Sequence, residues 1–149
     1  MTLVIGAPGI TEQKEWVFRY YATVETQVAP IISLLKKLKV ENLGVLYLND
    51  PFGIASFEPV KEEFEKTGGI VKAQGHDATE TDFKGQVTEL EDSSAIYVVG
   101  YGSHLGNAIK RLREENFPGL ILAGDGTSHY PVRSVPEAEW GVCGCEHHL

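Results

Sequence analysis

The sequence predicts a single α/β domain with a doubly wound, mostly parallel sheet and helices on both faces, three layers in all. Three observations carry this. Short apolar, β-rich runs alternate with segments of helical periodicity. Four of these runs end in loops of small, aromatic or acidic residues: GVLYLNDPFG, IVKAQGHDATE, AIYVVGYGSH and LILAGDGTSH. The 149 residues show no repeat of solenoid length and no low-complexity linker, and the length suits one domain with its own core.

The elements follow in order. Trp16 to Tyr21, WVFRYY, is aromatic and β-rich and reads as a strand. Val28, Ile31, Ile32, Leu34, Leu35 and Leu38 recur at helical spacing with Lys36 and Lys37 on the open face, so a helix follows. Pro30 is compatible with that helix only near its first turn. Gly44 to Leu48 is the next strand, and Phe57, Val60 and Phe64 predict a helix closing at Gly68-Gly69. Pro59 would remove a hydrogen bond inside that helix, so a late start is expected. Ile70 to Gln74 is a short strand. Thr81 and Asp82 then mark the start of a helix that turns Phe83, Val87 and Leu90 inward. Ala95 to Val99 is apolar throughout, as a central parallel strand covered on both faces must be. Ser103 is the expected cap of a helix through Leu105, Ile109 and Leu112, and Gly119 to Ala123 is a further strand. From Tyr130 on the pattern is irregular, apart from a short strand signal around Trp140 to Cys143.

Composition narrows the function. With 42% hydrophobic and 23% charged residues and a mean hydropathy of -0.13, this is the composition of a soluble globular domain. No apolar run approaches the ~20 residues needed to span a bilayer. A net charge of -8 disfavours nucleic acid, which is bound through clustered cations that displace counterions. The clusters Lys36-Lys37-Lys39 and Lys110-Arg111-Arg113 read as solvated helix faces. Met1 is followed by Thr2-Leu3-Val4-Ile5, with neither a basic region nor a long apolar one, so no signal peptide is read in this chain.

Catalytic signatures fail on spacing. Gly100, Gly102 and Gly106 give GxGxxxG rather than the dinucleotide-binding GxGxxG, and no GxxxxGK[ST] is present. Tyr101 stands where a nucleophile elbow around Ser103 would need glycine, and His104 has no positioned partner in the sequence that would make it a general base. Asp125 occupies the place where a phosphoacceptor domain would want lysine. Cys143, Cys145, His147 and His148 are too compressed to give one zinc ion a tetrahedral shell. No enzyme activity, cofactor or metal is expected.

A binding rim remains. In open parallel sheets ligands sit outside the carboxyl ends of the strands, which would bring Phe52, His76, Asp77, Tyr101, Ser103 and Asp125 to one space. Phe52 and Tyr101 supply apolar area with little rotamer entropy, and Asp125 between Gly124 and Gly126 suits a solute ammonium. Each has a purely structural reading as well: Phe52 as a plug at a helix base, Tyr101 as a buried tyrosine with a satisfied hydroxyl, Asp125 as a turn aspartate. The GHDAT junction acquires no role.

The ordered stretches WVFRYYATVETQ, LKVENLGVLYLNDPFGIASFEPVKEEFEKTGGIV, DATETDFKGQVTEL, AIYVVGYGSHLGNAIKRLRE and LILAGDGT resemble the type I periplasmic solute-binding proteins, the branched-chain amino-acid (Leu/Ile/Val) binding group of ABC importers. The resemblance runs from Ile10 to Gly144 and covers the second lobe of a two-lobed protein. Leu3 to Thr11 is similar to the last strand and loop of the first lobe, so the chain is expected to be one lobe over 1–149, with 1–15 as lead-in and 130–149 as an irregular tail. The resemblance implies a periplasmic or extracellular parent that captures amino acids or similar small amphipathic solutes for an ABC permease. A sensory ligand-binding domain and an enzyme of the same fold are the alternatives. Phe52 resembles the aromatic, often tyrosine, of the family's YG turn; Tyr101 resembles the aromatic that follows the glycine at the GY strand end. Asp125-Gly126 resembles the pair that receives an α-ammonium. Ser103, Phe52, Tyr101, Asp125 and Gly126 are therefore the expected ligand-binding residues. A lone lobe offers only one wall of a cleft, so weak binding is expected, and its exposed inner face could drive self-association.

Overall fold

The computed structural model describes residues 24–124. They form a four-stranded, all-parallel sheet in the order β2-β1-β3-β4, built from β1 (Asn42–Leu48), β2 (Ile70–His76), β3 (Ala95–Val99) and β4 (Leu120–Ala123). Helix α1 (Val24–Lys37) precedes β1, α2 (Pro51–Glu65) joins β1 to β2, α3 (Lys84–Glu89) joins β2 to β3, and α4 (Gly102–Glu114) joins β3 to β4. The expected strands at WVFRYY and around Trp140 lie outside the described residues.

Alternation along the strands builds two cores. Leu43, Val45, Ala95, Tyr97 and Val99 point to one face and pack with Val28, Ile32 and Leu35 of α1 and Phe57, Val60 and Phe64 of α2. Leu46, Ile96 and Val98 point to the other, where Val87 and Leu90 and the α4 residues Leu105, Ala108, Ile109 and Leu112 cover them. All five residues of β3 are buried, so a sheet covered on both sides accounts for its unbroken apolar run. A side chain as large as that of Phe64 or Leu112 contributes about 1.5–3 kcal/mol when fully withdrawn from water. Both are at most 1% exposed.

Four local expectations are corrected. Pro30 lies inside α1, beyond its first turn, on the exposed side of a helix whose Val28, Ile32 and Leu35 gain burial against the sheet. Helix α2 does not start late. It begins at Pro51 and runs through Pro59, because Asp50 caps it and Phe57, Val60 and Phe64 all gain burial against the sheet. Helix α3 starts at Lys84, later than Thr81 suggested; the Asp82 carboxylate accepts the Lys84 N–H at 3.1 Å, while Phe83 at the N-cap is fully buried. Strand β2 extends to His76, paired opposite Leu48, so His76 belongs to the sheet rather than to the loop. At the other end of α2, Gly68 takes a φ of +87°, a conformation suited to glycine, as the chain leaves the helix.

The strand order places a topological switch between β1 and β3. The β1 connection leaves toward β2 over the α1/α2 face, and the β3 connection leaves the other way over the α3/α4 face. A crevice opens between two diverging loops at such a point, and it is where ligands bind in this class of sheet.

Candidate functional site

Two loops flank the switch. After β1, Leu48 leads into Asn49 and Asp50, and the Asn49 N–H donates to the His76 carbonyl at 2.8 Å, tying this turn to the end of β2. Asp50 has extended backbone, and its Oδ1 accepts the Gly53 N–H at 2.6 Å, the geometry of a helix N-cap. Pro51 takes the first helical position, where its missing N–H costs nothing. Phe52 consequently sits in the first turn of α2, half-buried, instead of in a free loop. Gly53 lets the helix approach the strand: a Cβ there would lie 1.8 Å from the Leu48 carbonyl oxygen.

After β3, Gly100 leads into Tyr101, the N-cap position of α4, with extended backbone and no side-chain cap bond. Ser103 is exposed in the first turn and does not cap the helix, contrary to expectation, because the cap position falls two residues earlier. Tyr101 is 44% exposed, and its ring meets that of Phe52 with centroids 5.8 Å apart at 57°. Its hydroxyl donates to Oδ2 of Asp50 at 2.7 Å. That bond, then burial and the charge of Asp50, pushes the phenol above its ordinary value of 10.0.

The remaining rim candidates separate. His76 is only 4% exposed and turns to the α3/α4 side, where it meets Phe83 edge-on at 4.9 Å and lies 6.3 Å from the ring of His104. Burial is the main force holding its imidazole below 6.5, opposed by a hydrogen bond with the Asp77 carbonyl. His104 adds to the lowering, and the charges of Glu80 and Asp77 oppose it. Asp77 is exposed. Asp125 and Gly126 lie outside the described residues, as do Cys143, Cys145, His147 and His148. Among the described residues no three His, Cys, Asp or Glu side chains are grouped to hold a metal ion.

The structure thus brings Phe52 and Tyr101 together with Asp50 and leaves Ser103 beside them on α4. Nothing in the sequence places Asp50 in the site. An Asp before Pro does signal a cap, but a bond spanning 51 positions has no local signature. A separate concavity of about 600 Å³, lined by Val28, Ile32, Lys36, Pro59 and Glu63 among others, lies between α1 and α2. None of its lining residues is at a strand end, so it does not belong to the switch crevice. The cluster Lys110-Arg111-Arg113 is less open than expected, since Arg111 is half-buried and pairs with Glu114 and Glu115.

The parallel sheet with helices on both faces matches a known class. The sequence profile of the periplasmic binding protein family matches residues 2–134, and the chain belongs to that family. Its fold is that of the type I members. It is similar to a leucine-binding protein from Thermotoga maritima, with 24% identity and a TM-score of 0.72 over 77% of this chain and 34% of that one. A type 1 periplasmic binding protein from Bordetella pertussis gives 18% identity and a TM-score of 0.72 over 81% of this chain and 33% of its own. A candidate branched-chain amino acid ABC transporter protein from Rhodospirillum rubrum gives 19% and 0.64 over 72% and 32%. No curated relative matches the sequence. The chain spans about a third of the length of these solved structures.

Proposed function

We propose that the chain is the second lobe of a two-lobed solute-binding protein, and that the β1/β3 crevice is its half of the ligand cleft. The observation that carries this reading is the Phe52–Tyr101 pair at the switch point, in which Phe52 rests on the core while the Tyr101 ring is 44% exposed to the crevice side. Exposed aromatic area beside a few fixed polar groups is the composition of a small-molecule wall. Ser103 contributes a hydroxyl from α4, and Asp125-Gly126, next after β4 and Gly124 in sequence, would receive a cationic group. The favoured solutes are amino acids, consistent with the names of the leucine-binding and branched-chain amino acid proteins that the chain resembles in fold. In the whole protein, closure of the two lobes would present the loaded form to an ABC permease outside the cytoplasm. The role is binding, without catalysis.

Calorimetric and thermal-shift screening of the two-lobed protein against amino acids, amides, urea and aromatic acids tests it. A bound solute stabilises the native state by mass action. Amino acids should raise Tm, and Phe52→Ala, Tyr101→Ala and Asp125→Ala should each weaken binding by about tenfold or more, or about 1.4 kcal/mol. Amino acids that bind with undiminished affinity to all three variants would place the solute elsewhere.

A further inference from the structure

Asp50 does two jobs with its two oxygens. Oδ1 caps α2 through the Gly53 N–H, at 2.6 Å, and Oδ2 takes the hydroxyl proton of Tyr101, at 2.7 Å. One carboxylate thus joins the first turn of α2 to the start of α4 across the switch crevice.

The consequence for Tyr101 is directional. A phenol has one hydrogen to give and lone pairs to accept with. With the hydrogen committed to Asp50 in a charge-assisted bond, the hydroxyl can only accept from a third group. An exposed tyrosine held by a single ring contact would sample several rotamers, each at a cost when a ligand fixes it. The bond to Asp50 removes that freedom before any solute arrives.

We propose that Asp50 is the positioning residue of the rim: it locks Tyr101 beside Phe52 and turns the tyrosine hydroxyl into an acceptor, so that the crevice selects solutes presenting an N–H or O–H there. The lock stands on the geometry alone, whereas the selectivity rests on the solute-binding reading given above. Asp50 itself need not touch the solute.

The variants Asp50→Asn and Asp50→Ser both retain a competent helix cap, so the fold is kept while the anionic acceptor is lost. In the first arm, without solute, the Tyr101 phenol is titrated by ¹³Cζ NMR, its signal assigned by its loss in Tyr101→Phe. The wild-type phenol should titrate above 10.0, as its bond to Asp50 requires, and should fall toward that value in both Asp50 variants. An unchanged titration would overturn the lock, whatever the protein binds. In the second arm L-leucine is titrated into wild type, Asp50→Ser, Tyr101→Phe and the double variant. Each single change should weaken binding by about fivefold, and the double variant should be no weaker than either, because both act through one hydroxyl. Fully additive losses would overturn the positioning role. If the phenol responds as expected while neither L-leucine nor any other amino acid binds the wild type, the solute reading fails, and the selectivity with it.

Discussion

Gly53 shows how closely single residues determine this rim. A methyl group there would stand 1.8 Å from the Leu48 carbonyl oxygen, a backbone atom that cannot turn aside. Gly53→Ala should therefore cost about 2 kcal/mol or more, seen as a lower midpoint of urea unfolding at unchanged m. An unchanged midpoint would mean that α2 does not approach β1 as described. His76 makes a second prediction. Its imidazole is held below 6.5, mainly by burial and further by His104, against the upward pull of Asp77 and Glu80. The neutral ring is the form the fold favours, so its contribution is complete above about pH 6.5 and is lost as pH falls through the lower folded value. Stability should decline below pH 6.5, and His76→Leu should flatten that limb; an equally steep limb in the variant would exclude His76 as its source. At this scale the sequence was half legible. Phe52 and Tyr101 could be picked out because strand ends in a parallel sheet have a known side. Asp50 could not, since its partner lies 51 positions away, and the place of His76 in the sheet depended on two residues of strand length beyond Gln74.

Among the elements, the strands were the clearest. The run AIYVV can be buried on both faces only as a central strand, and it is one. Helix ends were harder to read, because the local signals at Pro59, Thr81 and Ser103 were outweighed by packing. Pro59 gives the sharpest case: a proline inside a helix removes a hydrogen bond and costs about 3 kcal/mol, yet α2 continues through it. Phe57, Val60 and Phe64, on the same helix, bury enough area against the sheet to offset that cost. Pro59→Ala would restore an N–H directed at the Ala55 carbonyl. After allowance for the looser unfolded chain, a gain of about 1–2 kcal/mol in urea unfolding is expected. A loss of stability would show that the proline ring contributes more through its packing beside the α1/α2 concavity than it costs the helix.

For the whole molecule, the fold was legible because the alternation of strand and helix and the right-handed crossover rule leave few arrangements. The sequence also carried the family resemblance, now supported by the profile match over residues 2–134. The completeness of the site is a different question, as the chain spans about a third of its solved relatives. On the proposed two-lobed reading one wall leaves a solute half in water, so this chain alone should bind weakly, with millimolar rather than micromolar affinity. The most direct test of the central claim, that the β1/β3 crevice is a solute-binding wall, is an NMR titration of the ¹⁵N-labelled chain with L-leucine at millimolar concentrations. The account predicts amide shifts concentrated in residues 49–53 and 100–104, around Phe52 and Tyr101. Shifts centred instead on Ile32 and Pro59 in the α1/α2 concavity, with none at the crevice, would contradict it.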